Sequence, residues 1–284
     1  MEQIDWKVVD RSITQALAED LGTGDITTLS TVTAKAYGAG QIVARQACIV
    51  AGLFLVERVF AACSPDIKVD VLVAEGAHVS RGTLLCRFEG PYRALLEGER
   101  TVLNYLQRLC GVATLTGRFV RATRRGKAAI YDTRKTTPGL RTLEKYAVRA
   151  AGARNHRMGL YDAILIKENH AAAAGGVDRA VARAHKAYPG VPVEVEVRNM
   201  EELVLAVEYG ADIVLLDNME HKEIRKAVRM VGKKVQLEVS GGVNLRRARE
   251  LADSGVHRIS VGALTHSAPA ADLSMLIVKQ RKQP

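Results

Sequence analysis

No stretch of the 284-residue chain approaches the ~20 consecutive apolar residues of a membrane span, and Met1–Asp10 carries acids without the apolar core of a secretory signal. Cysteine is sparse as well. Cys48, Cys63, Cys86 and Cys110 sit in apolar runs without metal-ligand spacing, so they are expected to be buried, reduced thiols of a cytoplasmic protein. Aromatic residues make up only 5%, and no nucleic-acid-binding motif occurs, which argues against nucleic acid as the partner of the +10 net charge. The dense basic run Arg121–Lys127 reads as a solvated helix end. What remains is an ordinary soluble composition, 48% apolar and 25% charged, and a length that suggests two domains.

The cations are not scattered. Between Tyr131 and His170 two short apolar runs, Ala128–Tyr131 and Ala163–Ile166, break off into Arg134 and Lys135 and into Lys167 and Glu168. Arg141, Lys145, Arg149, Arg154, His156 and Arg157 lie between them. α/β proteins bind ligands at strand ends, so this stretch reads as a site for anions.

The first part of the chain opens with a helix from about Asp5, marked by Trp6, Val9, Ile13, Ala16 and Leu17. Gly22 and Gly24 mark a turn. The runs 40–50, 67–73 and 83–88 read as strands, and Leu53–Ala62 as a helix. A long helix starts near Leu95 with Val102, Leu103, Leu106, Leu109, Cys110 and Ala113 on its apolar stripe. Glu97, Arg100, Thr101, Asn104 and Arg108 form a second stripe that periodicity alone makes a solvated face.

From Gly126 the chain alternates. Six glycines each precede a β-rich run, at 128–132, 163–167, 192–197, 213–217, 235–239 and 258–261, with helical stripes between. Asn199 followed by Glu202 predicts a helix N-cap, and Gly210, Gly232 and Gly255 predict helix ends. Such an array is a parallel α/β sheet whose even spacing favours a barrel, but six strands are too few for the usual eight. All six strand ends are polar or glycine-rich. Ser240-Gly241-Gly242 and Gly262-Ala263 stand where barrels bind phosphate through backbone N–H groups. Glu196 and Asp217 end adjacent strands and suit Mg²⁺, with pairing to nearby lysines as the ordinary alternative. Ala171–Gly176 reads as a surface loop that could instead order over a substrate.

Taken in order, E-D-L-G-T-G-D-I-T-T (Glu19–Thr28), G-E-R-T-V-L-N (Gly98–Asn104), D-T-R-K-T-T-P-G-L-R (Asp132–Arg141), N-H-R-M-G-L (Asn155–Leu160), L-I-K-E-N-H (Leu165–His170), E-V-E-V (Glu194–Val197), L-L-D-N (Leu215–Asn218), E-V-S-G-G-V (Glu238–Val243) and S-V-G-A-L-T-H-S (Ser260–Ser267) resemble the quinolinate phosphoribosyltransferases. The resemblance implies an N-terminal α/β sandwich domain, 1–111, rejoined by 271–284, and an incomplete, open α/β barrel of parallel strands, 112–270. It implies transfer of a phosphoribosyl group from phosphoribosyl pyrophosphate to quinolinate with decarboxylation. Lys135, Glu196 and Asp217 would be the catalytic residues. Arg134, His156, Arg157 and Lys167 would hold quinolinate together with Arg100 from the second subunit of a homodimer. Lys135, Glu196, Asp217, Ser240, Gly241, Gly242, Gly262 and His266 would surround the ribosyl donor, with Mg²⁺ on Glu196 and Asp217 directly or through water, and Thr133 would be a further substrate-binding residue. Assembly into a hexamer of dimers stays open, as do the roles of His170 and His266. No nucleic acid or membrane partner is implied. Three alternatives remain at this point: a Schiff-base lyase using Lys135, a non-enzymatic polyanion binder, and a family of the same fold linked to molybdate transport genes.

Overall fold

The structure, a computed structural model, describes residues 4–280. Contacts divide the chain into two units, one of residues 1–117, 136–152 and 265–284 and one of residues 118–135 and 153–264. The segment 136–152 groups with the first unit.

In the first unit, helix α1 (Trp6–Leu21) starts at the Asp5 N-cap, whose carboxylate accepts from the Lys7 and Val8 N–H groups, and buries Val9, Ile13 and Leu17. Gly22 ends it in a positive-φ conformation that L side chains avoid. A short helix that the sequence reading passed over, α2 (Ile26–Thr31), follows. Strands β1 (Tyr37–Ala44), β3 (Lys68–Val71) and β5 (Leu84–Pro91) enclose two-residue strands β2 (Cys48–Ile49) and β4 (His78–Val79) and helix α3 (Phe54–Cys63). The single strand expected over 40–50 is therefore two, and β4 had no signal long enough to read. Strand β12 (Leu273–Gln280) returns from the far end of the sequence to pair antiparallel with β1, giving a sheet of order β12-β1-β5-β3.

Helix α4 (Tyr92–Thr123) starts three residues before its expected origin. Its apolar stripe is buried as read, but the polar stripe is not uniformly solvated: Thr101 is buried. Arg108 donates from Nε and Nη2 to Oε1 of Glu144 at 2.9 and 2.7 Å, and from Nη1 to the Ala268 carbonyl at 3.0 Å. Glu144 lies on α5 (Arg141–Ala150), fully buried, and its carboxylate also accepts from the Thr137 N–H and hydroxyl at 3.0 and 2.7 Å. Lys145 of the same helix is buried too. The cations of α5 thus belong to the first unit, and periodicity could not separate them from those at strand ends.

The second unit is a six-stranded parallel sheet, order β6-β11-β10-β9-β8-β7, from β6 (Ala129–Tyr131), β7 (Ile164–Ile166), β8 (Val193–Val197), β9 (Ile213–Asp217), β10 (Gln236–Ser240) and β11 (Arg258–Ser260). All six expected strands are present. β6 and β7 are edges that do not pair with each other, so the barrel is open; Arg154 makes an isolated parallel bridge to Tyr131 at the β6 edge. Helices α6 (Glu168–Ala174), α7 (Val177–Ala187), α8 (Met200–Glu208), α9 (His221–Val231), α10 (Leu245–Ala252) and α11 (Ala263–His266) follow, and the boundary between the units falls within α11. Asn199 caps α8, accepting from the Glu202 N–H at 2.8 Å. Ala171–Ala174 is helical rather than a loop, since alanine is the best helix former, and Gly175 at φ 86° ends the helix.

Candidate active site

Register decides which side chains meet. Paired residues of neighbouring strands share a face, and so does every second residue along each strand. Leu165 pairs with Glu194, Glu196 with Leu215, Ser240 with Asp217, and Glu238 with both Leu215 and Arg258. One face therefore carries Glu194, Glu196, Asp217, Glu238, Ser240, Arg258 and Ser260. The other carries Val193, Val195, Val197, Val214, Leu216, Leu237, Val239 and Ile259, each at most 1% exposed. The helices cover the apolar face, and the polar face is left to chemistry.

At the C-terminal rim of the polar face, Lys167 forms an ion pair through Nζ with Oε2 of Glu196. This is the lysine pairing that the sequence left as an alternative to metal. Asp217 accepts from the Ser240 hydroxyl at 3.1 Å and from Asn218 Nδ2 at 2.8 Å. Asn218 holds φ at 54°, the one non-glycine residue described with positive φ. Gly241 shows why a side chain is missing there, since a Cβ would lie 2.0 Å from Asn218 Oδ1. Gly241 and Gly242 both have positive φ.

A buried aspartate joins the two basic motifs. Asp132 accepts from the His156 N–H at 2.7 Å and from Asn155 Nδ2 at 2.6 Å, which fastens N-H-R to D-T-R-K. Thr133 Oγ1 accepts from the Lys135 N–H at 3.1 Å and shapes the turn that carries Arg134 and Lys135. Arg157 donates to the Ala163 carbonyl at 3.1 Å, and Asp162 ties the loop by accepting from the Met158 and Gly159 N–H groups. Burial, then the nearby Arg134 guanidinium, pull Arg157 below the ordinary arginine range, against the pull of Glu194 and Asp162. Two cations held in mutual repulsion make a place where an anion is stabilised.

Below His156 lies a group that the sequence reading did not select. His156 Nε2 is 3.0 Å from Glu194 Oε2 and 3.6 Å from Glu238 Oε1, and both carboxyl side chains are nearly or fully buried. Burial first, then Glu194, push Glu238 up to about 7, against His156, the Ser260 hydroxyl and Arg258. The signal was present in V-E-V-E-V: Glu194 lies two residues before Glu196, and Glu238 two before Ser240, so each shares the polar face.

The family profile for the N-terminal domain of quinolinate phosphoribosyl transferase matches residues 25–110, and that for its C-terminal domain matches residues 112–276. The chain belongs to the quinolinate phosphoribosyltransferase family. A probable nicotinate-nucleotide pyrophosphorylase (carboxylating) of Bacillus subtilis is 41% identical over 90% of this chain and 89% of its own length. The Mycobacterium leprae nicotinate-nucleotide pyrophosphorylase (carboxylating) is also 41% identical, over 93% and 95%. The Francisella tularensis nicotinate-nucleotide pyrophosphorylase structure superposes with a TM-score of 0.92 at 38% identity, covering 97% of this chain and 98% of that one. Membership decides against the lyase and polyanion-binder readings.

Of the expected site residues, Thr133, Arg134, Lys135, His156, Arg157, Lys167, Glu196, Asp217, Ser240, Gly241, Gly242 and Gly262 all belong to the second unit. The other two expected residues belong to the first unit: Arg100 is exposed on α4, and His266 is exposed at the end of α11 with Nδ1 2.6 Å from Ser267 Oγ. His170 Nδ1 accepts from the Lys167 N–H at 3.0 Å, a positioning contact. Glu196 and Asp217 offer only oxygen ligands on one face of adjacent strands, a donor set that suits Mg²⁺ completed by substrate phosphates.

Proposed function

We propose that the chain transfers the phosphoribosyl group of phosphoribosyl pyrophosphate to quinolinate, releasing pyrophosphate and CO₂ and leaving nicotinate mononucleotide, as a pentosyltransferase of NAD biosynthesis. The observation that carries this reading is the match of both family domains in order along the chain. The polar sheet face supports the residue roles.

Arg134, Arg157 and Lys167 hold the quinolinate carboxylates. At an effective dielectric of 20, one charge pair at 4 Å is worth roughly 4 kcal/mol, so each such pair offsets part of the cost of desolvating a dianion. Glu196 and Asp217 would hold Mg²⁺, which would supply positive charge toward the pyrophosphate leaving group. Lys135 adds to it, and the N–H groups of Gly241 and Gly242 bind phosphate oxygens. As the C1–O bond breaks, positive charge grows on the ribosyl centre and is stabilised by the carboxylates of Glu196 and Asp217. The quinolinate ring nitrogen then donates its electron pair to C1. The quaternised ring accepts the electrons of the bond to the 2-carboxylate as CO₂ leaves, and the ring carbon takes up a proton. No covalent attachment to the protein is needed.

Arg100, exposed on α4, completes the quinolinate pocket of the partner subunit in a homodimer. Four free cysteines, three of them buried, suit a reducing compartment, and the cytoplasm is our assignment. Among the described residues no helix is long and apolar enough to cross a membrane.

The direct test incubates purified protein with Mg²⁺, phosphoribosyl pyrophosphate and either quinolinate or nicotinate. Nicotinate mononucleotide and labelled CO₂ from quinolinate alone are expected. Turnover of nicotinate but not quinolinate would overturn the substrate assignment.

A further inference from the structure

Strand β9 ends in Asp217 and runs into Asn218 and Met219, and β10 ends in Ser240 and turns through Gly241 and Gly242. These two loops are fastened to each other. The Asn218 N–H donates to the Ser240 carbonyl at 3.2 Å, and the Ser240 hydroxyl donates to Asp217 Oδ1 at 3.1 Å. Arg247, in the first turn of α10, adds a third fastening. Its Nη2 donates to the Met219 carbonyl at 2.9 Å, while its backbone N–H donates to the Asn244 cap at 2.9 Å and so fixes where the side chain begins.

The same guanidinium lies beside the glycine turn. A Cβ on Gly242 would stand 3.9 Å from Arg247 Nη1. Arg247 is half-buried and lines, with Asn218, Met219 and Lys222, a cavity of about 390 Å³ next to the turn. Two acids line that cavity as well, but each has another partner: Glu250 pairs with Arg246 at 3.0 Å, and the Glu220 carboxylate caps α9. Among the described residues Arg247 enters no ion pair. A half-buried guanidinium whose hydrogen bond goes to a neutral carbonyl keeps its positive charge for an anion nearby.

We propose that Arg247 is a positioning residue for the phosphate that stays on the ribose. The carboxylates of Glu196 and Asp217 belong to the pyrophosphate end of the ribosyl donor, which leaves the Gly241–Gly242 turn to the single phosphate that phosphoribosyl pyrophosphate and nicotinate mononucleotide share. Arg247 holds this turn against the Asp217 loop, so that its N–H groups stay aimed, and places a positive charge behind them. It acts through the turn and does not touch the reacting carbon.

The proposal rests on the phosphoribosyl-transfer reading above. Its test compares wild type with Arg247→Gln, Arg247→Lys and Arg246→Gln by steady-state kinetics and by calorimetric titration with nicotinate mononucleotide. Arg247→Gln should raise both the phosphoribosyl pyrophosphate KM and the mononucleotide Kd about tenfold, with the quinolinate KM moving less than about twofold. Arg247→Lys keeps the charge but loses the planar fork, so a rise of about threefold is expected. Arg246→Gln removes the same charge one residue away, from an exposed pair, and should match wild type. Added salt should weaken mononucleotide binding more in wild type than in Arg247→Gln. A mononucleotide Kd unchanged in Arg247→Gln, or a quinolinate KM that rises equally, as general loosening would produce, overturns the proposal. If Arg247→Gln does not fold, the lysine variant carries the same comparison. Titration needs no turnover: the expected loss of mononucleotide affinity without reaction of quinolinate refutes the acceptor alone, whereas a wild type that binds no mononucleotide overturns both.

Discussion

Replacing Arg108 with methionine is expected to cost far more than removing a surface cation. Its guanidinium is the ionic partner of Glu144, whose side chain has no solvent exposure, and it also donates to the carbonyl oxygens of Thr265 and Ala268. Thr137 satisfies Glu144 with two hydrogen bonds but brings no charge. Breaking one side of a buried pair costs about 3–5 kcal/mol, because the remaining charge cannot reach water. At roughly 2–4 °C per kcal/mol for chains of this order of size, the melting temperature should fall by about 6–20 °C. Arg108→Met combined with Glu144→Leu should recover more than half of the loss, since the orphaned carboxylate goes with its partner. Denaturant and thermal unfolding of the wild type, both single variants and the double variant measure the coupling directly. If Arg108→Met stays within ~1 kcal/mol of wild type, or the double variant is no more stable than the single, the charge-burial argument is wrong.

Arg134→Ala should raise the quinolinate KM far more than that of phosphoribosyl pyrophosphate; equal effects on both would refute its assignment. Asn218→Ala removes the amide that donates to Asp217 and forces a Cβ-bearing residue without a local hydrogen bond into positive φ, at a cost of about 1–2 kcal/mol. Asn218→Gly relieves the backbone but not the lost contact. A loss of phosphoribosyl pyrophosphate affinity common to both variants, with stability recovered only in the glycine variant, would separate the two effects; full activity in both would show that Asp217 needs no orientation. Glu238 is raised from the ordinary carboxyl range to about 7, so between those values the folded chain holds a proton the unfolded chain has released. Its contribution to stability therefore falls as pH rises over that window, by something of the order of 3 kcal/mol. Urea unfolding across that range should show a slope that Glu238→Gln removes, and an unchanged slope would rule the group out as its source.

Much of the second unit was legible because the same physics repeats six times. A short β-branched run between glycine-capped helices admits few readings, and the polar strand ends stood out against apolar strand bodies. The first unit was harder. Two-residue strands such as Cys48–Ile49 have no periodicity, and helix α2 is only six residues long. On α4 a stripe of polar residues looks the same whether it meets water or a buried carboxylate from another helix. Arg108 and Thr101 could be told from Arg100 only by what packs against them.

The site shows a different limit. Arg134, Lys167, Glu196 and Asp217 were found because they lie at strand ends, where α/β proteins bind ligands, and Arg157 because it belongs to the basic stretch between two of those strands. Glu194 and Glu238 were passed over because they lie within strands, where a charged residue suggests an exposed edge. Period-two alternation already put them on the face that carries Glu196 and Ser240. What it could not give was the order of the strands. β8 and β10 are separated by β9, and only the ladder, with Glu194 opposite Ile213 and Glu238 opposite Leu215, sets the two carboxyl groups on one face, two residues apart in register across β9. His156 enters from a loop fastened to Asp132 and fills the space above that pair. The charge balance of the anion site is thus a property of register, and a residue-by-residue inventory of cations at strand ends counts only its positive half.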